Sequence, residues 1–260
     1  MPAVVCGGIV GVTLGTTGAG GSLVAVPLLV YVLGFPVQEA TAMSLAVVGT
    51  TAGLGAYARF KLGDVRPKAA VLFSVTGAVG AWFGAFGHRV VREPLILTLF
   101  GLLVLVAAWR MWKAPDQSFQ KTKTSSCADR LPRTGVVRVL FIGCVVGLLT
   151  GFFGVGGGFL IVPALAIILG FPMPVAVGTS FVIISWISLG GLIGHLQYSG
   201  LDWAVTGYVL LGSGMGMVFG TKLARRANPV ALSKHFAFVA AVVALAMIVH
   251  NGTMLLVGEP

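Results

Sequence analysis

Acidic residues are scarce in this chain. Only seven of its 260 residues are Asp or Glu, and charged residues of both signs make up 9%. A soluble domain carries about a quarter charged residues, so the composition excludes an ordinary soluble protein. None of the seven acids lies in the middle of an apolar run, which also excludes paired catalytic carboxylates and an acidic metal cluster. We therefore expect no enzymatic activity, no catalytic residue, no metal site and no cofactor.

Cysteine is scarcer still, with only Cys6, Cys127 and Cys144. Their odd number and wide spacing give neither a disulfide framework nor a metal-ligand motif. We expect Cys6 and Cys144, which stand near the start of two similar segments, to be small packing residues. The alternative, that these two thiols relay a sulfur species, stays open.

Apolar sequence is what the chain has in abundance. Hydrophobic residues make up 57% and the mean hydropathy is +1.00. About 20 apolar residues span a bilayer, and runs of that order cover eight ranges: 5–33, 36–58, 69–87, 94–112, 137–169, 172–194, 203–221 and 236–257. These runs predict an all-α polytopic membrane protein, which we place in the cell inner membrane.

The net charge of +10 does not indicate a nucleic-acid partner. Lys and Arg lie between the apolar runs, where basic residues orient a membrane protein and contact anionic lipids. The expected partners are a small anionic substrate and membrane lipids. A homo-oligomer is left open.

The chain contains the same unusual segment twice. Residues 7–36 and 143–172 share most of their glycines and both of their prolines at a constant offset of 136, and each ends in Gly-Phe-Pro. Duplicated apolar units interrupted by glycine are typical of transporters whose site lies where the copies meet. We predict two homologous four-segment repeats, 1–112 and 137–260, joined by a basic cytoplasmic linker, 113–136.

The first segment of each repeat is too long for a single crossing. Residues 5–33 would make a helix of about 43 Å, against a hydrocarbon core of about 30 Å. Glycines, which are poor helix formers, cluster in the middle of both first segments. We predict two half-helices joined at each glycine break, either as a re-entrant hairpin or as two short crossings.

The basic residues favour a topology in which the repeats are inverted. If every segment crossed once, the 17 Lys and Arg would divide 11 to 6 between the two sides. If each first segment enters and leaves on the same side, they divide 15 to 2. The positive-inside rule favours the second arrangement, with both termini outside the cell.

The glycine breaks indicate a site for an anion. Glycine lets a ligand approach the backbone, successive N–H groups form an anion-binding nest, and helix N-termini favour negative charge. Hydroxyls one turn into the second segment of each repeat would add hydrogen bonds. The candidate substrate-binding residues are Gly18, Gly20, Gly21, Ser44, Gly154, Gly156, Gly157, Gly158, Thr179 and Ser180.

The competing interpretation is close helix packing by small residues, which fits Gly7, Gly11 and Gly15 because they are spaced by four.

Pro27 and Pro163 are candidate hinges. Other candidates lie at segment ends. We expect Glu39 to favour a helix start, and proton coupling is its alternative. His195 is expected to be solvated. Asp64 and Asp202 are expected to begin the third helices. The gating candidates are Glu39, Arg59 and His195.

Repeat two, GFFGVGGGFLIVPALAIILGFPMPVAVGTS, resembles the signature of the sulfite exporter TauE/SafE family, and repeat one is a looser copy. The resemblance implies a membrane permease that exports sulfite, sulfonates or related anions. Repeat one has GTTGAGG where repeat two has GFFGVGG. Thr16 and Thr17 therefore predict a more polar site on one side, suited to a larger sulfonate or carboxylate. The alternatives are an anion channel or uniporter, a cysteine-assisted permease and a non-transporting scaffold.

Overall fold

The structure is a computed structural model that describes residues 2–18, 20–88, 91, 93–113, 133–153, 158–165, 171, 173–197, 200–224 and seven positions between 238 and 249. The described part is helical and contains no strand, which confirms the predicted all-α class. Most of the 113–136 linker lies outside the described residues, as do Cys127 and most of the eighth apolar run.

The helices follow the apolar runs. Within the described residues they are α1 Pro2–Thr17, α2 Gly20–Pro27, α3 Val37–Phe60, α4 Pro67–His88, α5 Glu93–Lys113, α6 Arg133–Phe153, α7 Gly158–Pro163, α8 Met173–Leu196 and α9 Trp203–Ala224. By length and composition, three of them are candidate membrane spans: Pro67–Gly87, Pro174–Leu196 and Trp203–Leu223.

The first segment of repeat one folds back on itself at Gly18. This residue has a φ of +74°, a left-handed conformation that favours glycine, and it separates α1 from α2. A Cβ at Gly21 would lie 2.5 Å from both the Cβ of Leu14 and the carbonyl oxygen of Val10, so α2 runs back along α1. Ala3 and Phe35 belong to one hydrophobic cluster, which places both ends of the hairpin at the same end of the molecule.

A π-helical turn, Leu28–Val32, follows Pro27. It is closed by the Leu33 N–H, which donates to the carbonyl oxygen of Leu28 at 3.2 Å. Pro27 has no N–H to continue an α-helical ladder, and π-turns occur where that ladder is interrupted. Helix α2 therefore gives way to a wider turn directly after its proline.

The two repeats have matching helix bounds. Adding 136 to the bounds of α3, 37 and 60, gives those of α8, 173 and 196, and the same shift converts α4, 67–88, into α9, 203–224. The offset found among glycines and prolines therefore extends to the ends of helices whose sequences differ.

The first helix of each repeat packs against a helix of the other repeat. A Cβ at Gly7 or Gly11 of α1 would collide with the carbonyl oxygen of Val209 or Ser213 of α9. The same shift of 136 describes the α6–α4 pair, where Gly147 meets the carbonyl oxygen of Gly77. Small residues let helix backbones approach closely in membranes. The packing interpretation of the glycines spaced by four therefore agrees with these contacts.

Helices α3 and α8 cross at the centre and run antiparallel. A Cβ at Gly191 would lie 3.2 Å from Leu45, and a Cβ at Gly55 would lie 3.3 Å from Phe181. Leu45, in the first half of α3, therefore packs near the end of α8, and Gly55, near the end of α3, packs near the start of α8.

Candidate functional site

The tip of the α1–α2 hairpin contacts the start of α8. The Gly18 N–H donates to the Leu14 carbonyl oxygen at 2.8 Å, and its own carbonyl oxygen lies 3.5 Å from the Ser180 hydroxyl. A Cβ at Gly18 would collide with the side chain of Val177. Both the positive φ and this close approach to α8 therefore require glycine at position 18.

Thr179 and Ser180 are fully buried beside this tip. The Ser180 hydroxyl donates to the Val177 carbonyl oxygen at 2.8 Å, and the Thr179 hydroxyl accepts the backbone N–H of Arg66 at 3.1 Å. A hairpin tip, the start of a long helix and the loop before α4 thus converge. We call Gly18, Thr179 and Ser180 the Gly18 half-site.

Ser44 is the repeat-one counterpart of Ser180, and it is also fully buried. Its hydroxyl has no hydrogen-bond partner in the structure. The counterpart of Gly18 is Gly154, which lies outside the described residues together with Gly156 and Gly157. Gly158 is the first residue of α7 and is buried.

The candidate residues occupy two levels of the molecule. Leu45 packs at Gly191, so Ser44 lies near the level of Gly191 and not of Ser180. Ser180 and Gly191 are separated by eleven positions of α8, about 16 Å at 1.5 Å per residue. The hydroxyls expected to share one cradle therefore lie at two levels: that of the Gly18 half-site and that of Ser44, which we call the Ser44 half-site.

Other glycines and threonines of the first segment have local roles. Gly20 is the first residue of α2, and Gly21 lies against α1. Thr16 donates to the Val12 carbonyl oxygen at 2.8 Å, and Thr17 donates to that of Thr13 at 2.8 Å. Both hydroxyls therefore serve the carbonyls of their own helix.

The two candidate hinges lie at helix ends. Pro27 is buried at the end of α2, before the π-helical turn. Pro163 ends α7, and its side chain lies outside the described part of the structure.

The gating candidates do not form one cluster. Glu39 lies half-buried in the first turn of α3. Arg59 and His195 lie near the ends of α3 and α8, and hence at opposite ends of this antiparallel pair. His195 is 3% exposed, and its Nε2 lies 2.9 Å from the carbonyl oxygen of Gly151. The expectation of a solvated histidine is therefore wrong, because the ring packs on α6.

The two aspartates expected to begin the third helices behave differently. Asp202 caps α9: its Oδ1 accepts the N–H groups of Ala204 and Val205, each at 3.0 Å. Asp64 instead forms an ion pair with Arg59 at 3.1 Å, and α4 begins at Pro67. The expectation for Asp64 is wrong, because its carboxylate lies three residues before α4 and pairs with Arg59, and proline at the first helical position has no N–H that needs an acceptor.

The two described cysteines occupy different environments. Cys6 is buried and Cys144 is exposed, and both are free thiols. In the part of the chain that the structure describes, no three His, Cys, Asp or Glu side chains are grouped to hold a metal ion.

The sequence matches known proteins over most of its length. A model of the family described as "Sulfite exporter TauE/SafE" matches residues 3–247. A "Probable membrane transporter protein" of Xylella fastidiosa (strain 9a5c) is 33% identical over 234 residues, which cover 88% of this chain and 85% of the relative. The "Probable membrane transporter protein YdhB" of Bacillus subtilis (strain 168) is 28% identical, with coverages of 82% and 86%.

The "Probable membrane transporter protein MJ0441" of Methanocaldococcus jannaschii is 28% identical over 243 residues, which cover 89% of this chain and 87% of the relative. No solved structure matches the chain. Both the family match and the relatives extend over both repeats, and three of the described helices are long and apolar enough to cross a membrane. The chain belongs to the sulfite exporter TauE/SafE family and is a multi-pass membrane transporter.

Proposed function

We propose that the chain is a secondary transporter, acting as an exporter, of small sulfur-containing or organic anions such as sulfite or sulfonates. The observation that carries this proposal is the Gly18 half-site. There a glycine hairpin tip and two buried hydroxyls, those of Thr179 and Ser180, meet near the N-terminal end of a 24-residue helix. Buried hydroxyls can donate hydrogen bonds to an anion, and hydrogen bonds to a charged group are stronger than those between neutral groups.

The nearby charges are compatible with an anion. Asp64 packs beside this half-site, since its carbonyl oxygen occupies the space of a Cβ at Gly178. Its carboxylate is paired with Arg59 at 3.1 Å. An anion approaching Thr179 therefore meets a neutralised pair rather than a free carboxylate.

The transport mechanism that we propose is alternating access between two inverted repeats. Its support is the antiparallel α3–α8 pair, the shared helix bounds and the two half-sites at different levels. Rocking of one repeat against the other would expose one half-site at a time. In this topology the Arg59–Arg66 loop and the start of α8 lie on the side that holds 15 of the 17 basic residues, which we assign to the cytoplasm.

The proposal is tested by transport in proteoliposomes. The purified protein would be assayed with sulfite, sulfate, thiosulfate, taurine, sulfoacetate and acetate, and binding would be followed by thermal shift. A ligand at a hundredfold excess over Kd stabilises the folded state by about 2.7 kcal/mol. Transport of at least one sulfur-containing anion is expected, and no transport of any anion would contradict the proposal.

A matched pair of variants localises the site. The hydroxyls of Ser180 and Ser213 are both buried, and each donates to the carbonyl oxygen three residues earlier. Ser180→Ala is expected to weaken transport by about tenfold, the loss of one hydrogen bond to a charged group. Ser213→Ala is expected to retain transport. Equal behaviour of the two variants would remove the Gly18 half-site from the proposal.

A channel or uniporter is the second candidate, since no acidic side chain belongs to the described half-site residues. Flux that follows the membrane potential and is unaffected by a pH gradient would favour it.

The cysteine relay is tested by Cys6→Ser combined with Cys144→Ser, and we expect transport to persist because one thiol is buried and the other is exposed.

A further inference from the structure

The crossing of α3 and α8 is tightest between the two half-sites. A Cβ at Gly49 would lie 2.8 Å from the Cβ and 3.6 Å from the hydroxyl oxygen of Ser188. A Cβ at Gly53 would lie 3.3 Å from the hydroxyl oxygen of Ser185. Ser188 and Ser185 of α8 therefore face Gly49 and Gly53 of α3.

Ser188 is fully buried at this contact, and its hydroxyl has no hydrogen-bond partner in the structure. A buried hydroxyl without a hydrogen-bond partner carries a free-energy cost. Alanine has nearly the same size and no such cost. A purely structural contact would therefore favour alanine at position 188.

The position of Ser188 along α8 places it between the half-sites. Ser180 lies eight positions before it, and Gly191, which marks the level of Ser44, lies three positions after it. At 1.5 Å per residue these separations are about 12 Å and about 4.5 Å. An anion that passes from one half-site to the other along the α3–α8 pair must pass this hydroxyl.

We infer that Ser188 is an anion-binding residue of the translocation path, located at the closed contact between α3 and α8. This inference rests on the proposed transport function. In the structure Gly49 and Ser188 leave no space for an anion, so the contact acts as a barrier. When the helices part, the Ser188 hydroxyl donates a hydrogen bond to the passing anion, which satisfies the donor that is unpaired in the closed state.

The inference is tested with Ser188→Ala and with Ser74→Ala as its matched control. Ser74 is also buried and its hydroxyl is also unpartnered, but it belongs to α4. Both variants and the unaltered protein would be reconstituted in proteoliposomes. The initial rate of uptake of radiolabelled sulfite would be measured against concentration, and Tm would be measured in detergent.

Each variant is expected to keep or raise Tm, because each removes an unsatisfied buried hydroxyl. Ser188→Ala is expected to raise KM for sulfite about tenfold, the loss of a hydrogen bond to a charged group, whereas Ser74→Ala keeps KM. A stable Ser188→Ala protein with unchanged KM would overturn the inference, as would an equal rise in KM for Ser74→Ala. If the unaltered protein transports neither sulfite nor any other anion of the panel, the proposed function itself fails.

Ser188→Thr provides a second measurement if the alanine variant cannot be purified. Threonine retains the hydroxyl but adds a methyl group beside Gly49, where the helices are so close that a Cβ at position 49 would lie 2.8 Å from the Ser188 Cβ. We expect a lower maximal rate with KM within about twofold, since the donor remains while the contact is crowded. A tenfold rise in KM for this variant would contradict a role for the hydroxyl.

Discussion

The hydroxyl oxygens of Thr51 and Ser213 lie 2.7 Å apart in the buried interior, and they join α3 of one repeat to α9 of the other. The Thr51 hydroxyl oxygen also lies 2.7 Å from the carbonyl oxygen of Val47, and that of Ser213 lies 3.0 Å from the carbonyl oxygen of Leu210. Each hydroxyl has one proton, so one hydroxyl donates to the other and the second donates to the carbonyl oxygen of its own helix. Both hydroxyls therefore have hydrogen-bond partners within the protein, and the bond between them connects the two repeats directly.

Breaking this bond is expected to destabilise the protein modestly. Interhelical hydrogen bonds in membrane proteins contribute about 0.6 kcal/mol on average. Ser213→Ala and Thr51→Val should each lower stability, and a double-mutant cycle in denaturing detergent should give a coupling energy of that order. A coupling energy indistinguishable from zero would show that the two hydroxyls are satisfied independently.

Two glycines of α9 should respond in opposite directions to alanine. A Cβ at Gly212 would collide with the carbonyl oxygen of Val4, whereas a Cβ at Gly207 has no neighbour within 4 Å. Gly212→Ala should force α1 and α9 apart and lower Tm. Gly207→Ala should raise stability by about 0.5–1 kcal/mol, because alanine is the better helix former. Equal effects on Tm would contradict the described α1–α9 contact.

The hairpin tip should tolerate substitution less well than another glycine of the same conformation. Gly18 and Gly34 both have a φ of +74°, but only Gly18 has a neighbour, Val177, in the way of a Cβ. Gly34→Ala should cost about 1–2 kcal/mol of backbone strain. Gly18→Ala should cost more and impair transport, and Val177→Ala in the same protein should restore part of the loss.

Recovery in the Gly18→Ala, Val177→Ala double variant separates crowding from strain. Transport and Tm would be measured for both single variants and for the pair. If the double variant is no better than Gly18→Ala alone, the side chain of Val177 is not what limits position 18.

The proposed topology predicts opposite labelling of two loops. Lys61 precedes α4 in the basic loop, and Gly200 precedes α9 with no neighbour within 4 Å of a Cβ. In a protein whose native cysteines are replaced by serine, Gly200→Cys should react with an impermeant maleimide added outside intact cells. Lys61→Cys should react only after permeabilisation, and external labelling of both positions would exclude the inverted arrangement.

The sequence predicted the helical class well because it follows from local pattern. Apolar length, the glycine offset and Pro27 each constrain the backbone directly, and the matching bounds of α3 and α8 agree with that offset. Asp202 was correctly predicted as a helix start, because capping needs only the residues that follow it.

The distribution of the site could not be predicted in the same way. Ser44 and Ser180 occupy equivalent positions in the sequence. Because α3 and α8 are antiparallel, these two positions lie at different levels of the helix pair. The burial of His195 depends on Gly151 of another helix, and the isolation of Ser188 depends on Gly49. Gly49 lies 139 positions before Ser188, so neither local sequence indicates that the two residues face each other.

The exchange of first helices between repeats also constrains the order of biosynthesis. Helix α1 is complete at residue 17, whereas α9, whose backbone it contacts through Gly7 and Gly11, begins at residue 203. Helix α6, by contrast, is made after its partner α4. The glycine face of α1 therefore has no α9 to pack against until most of the second repeat has been synthesised.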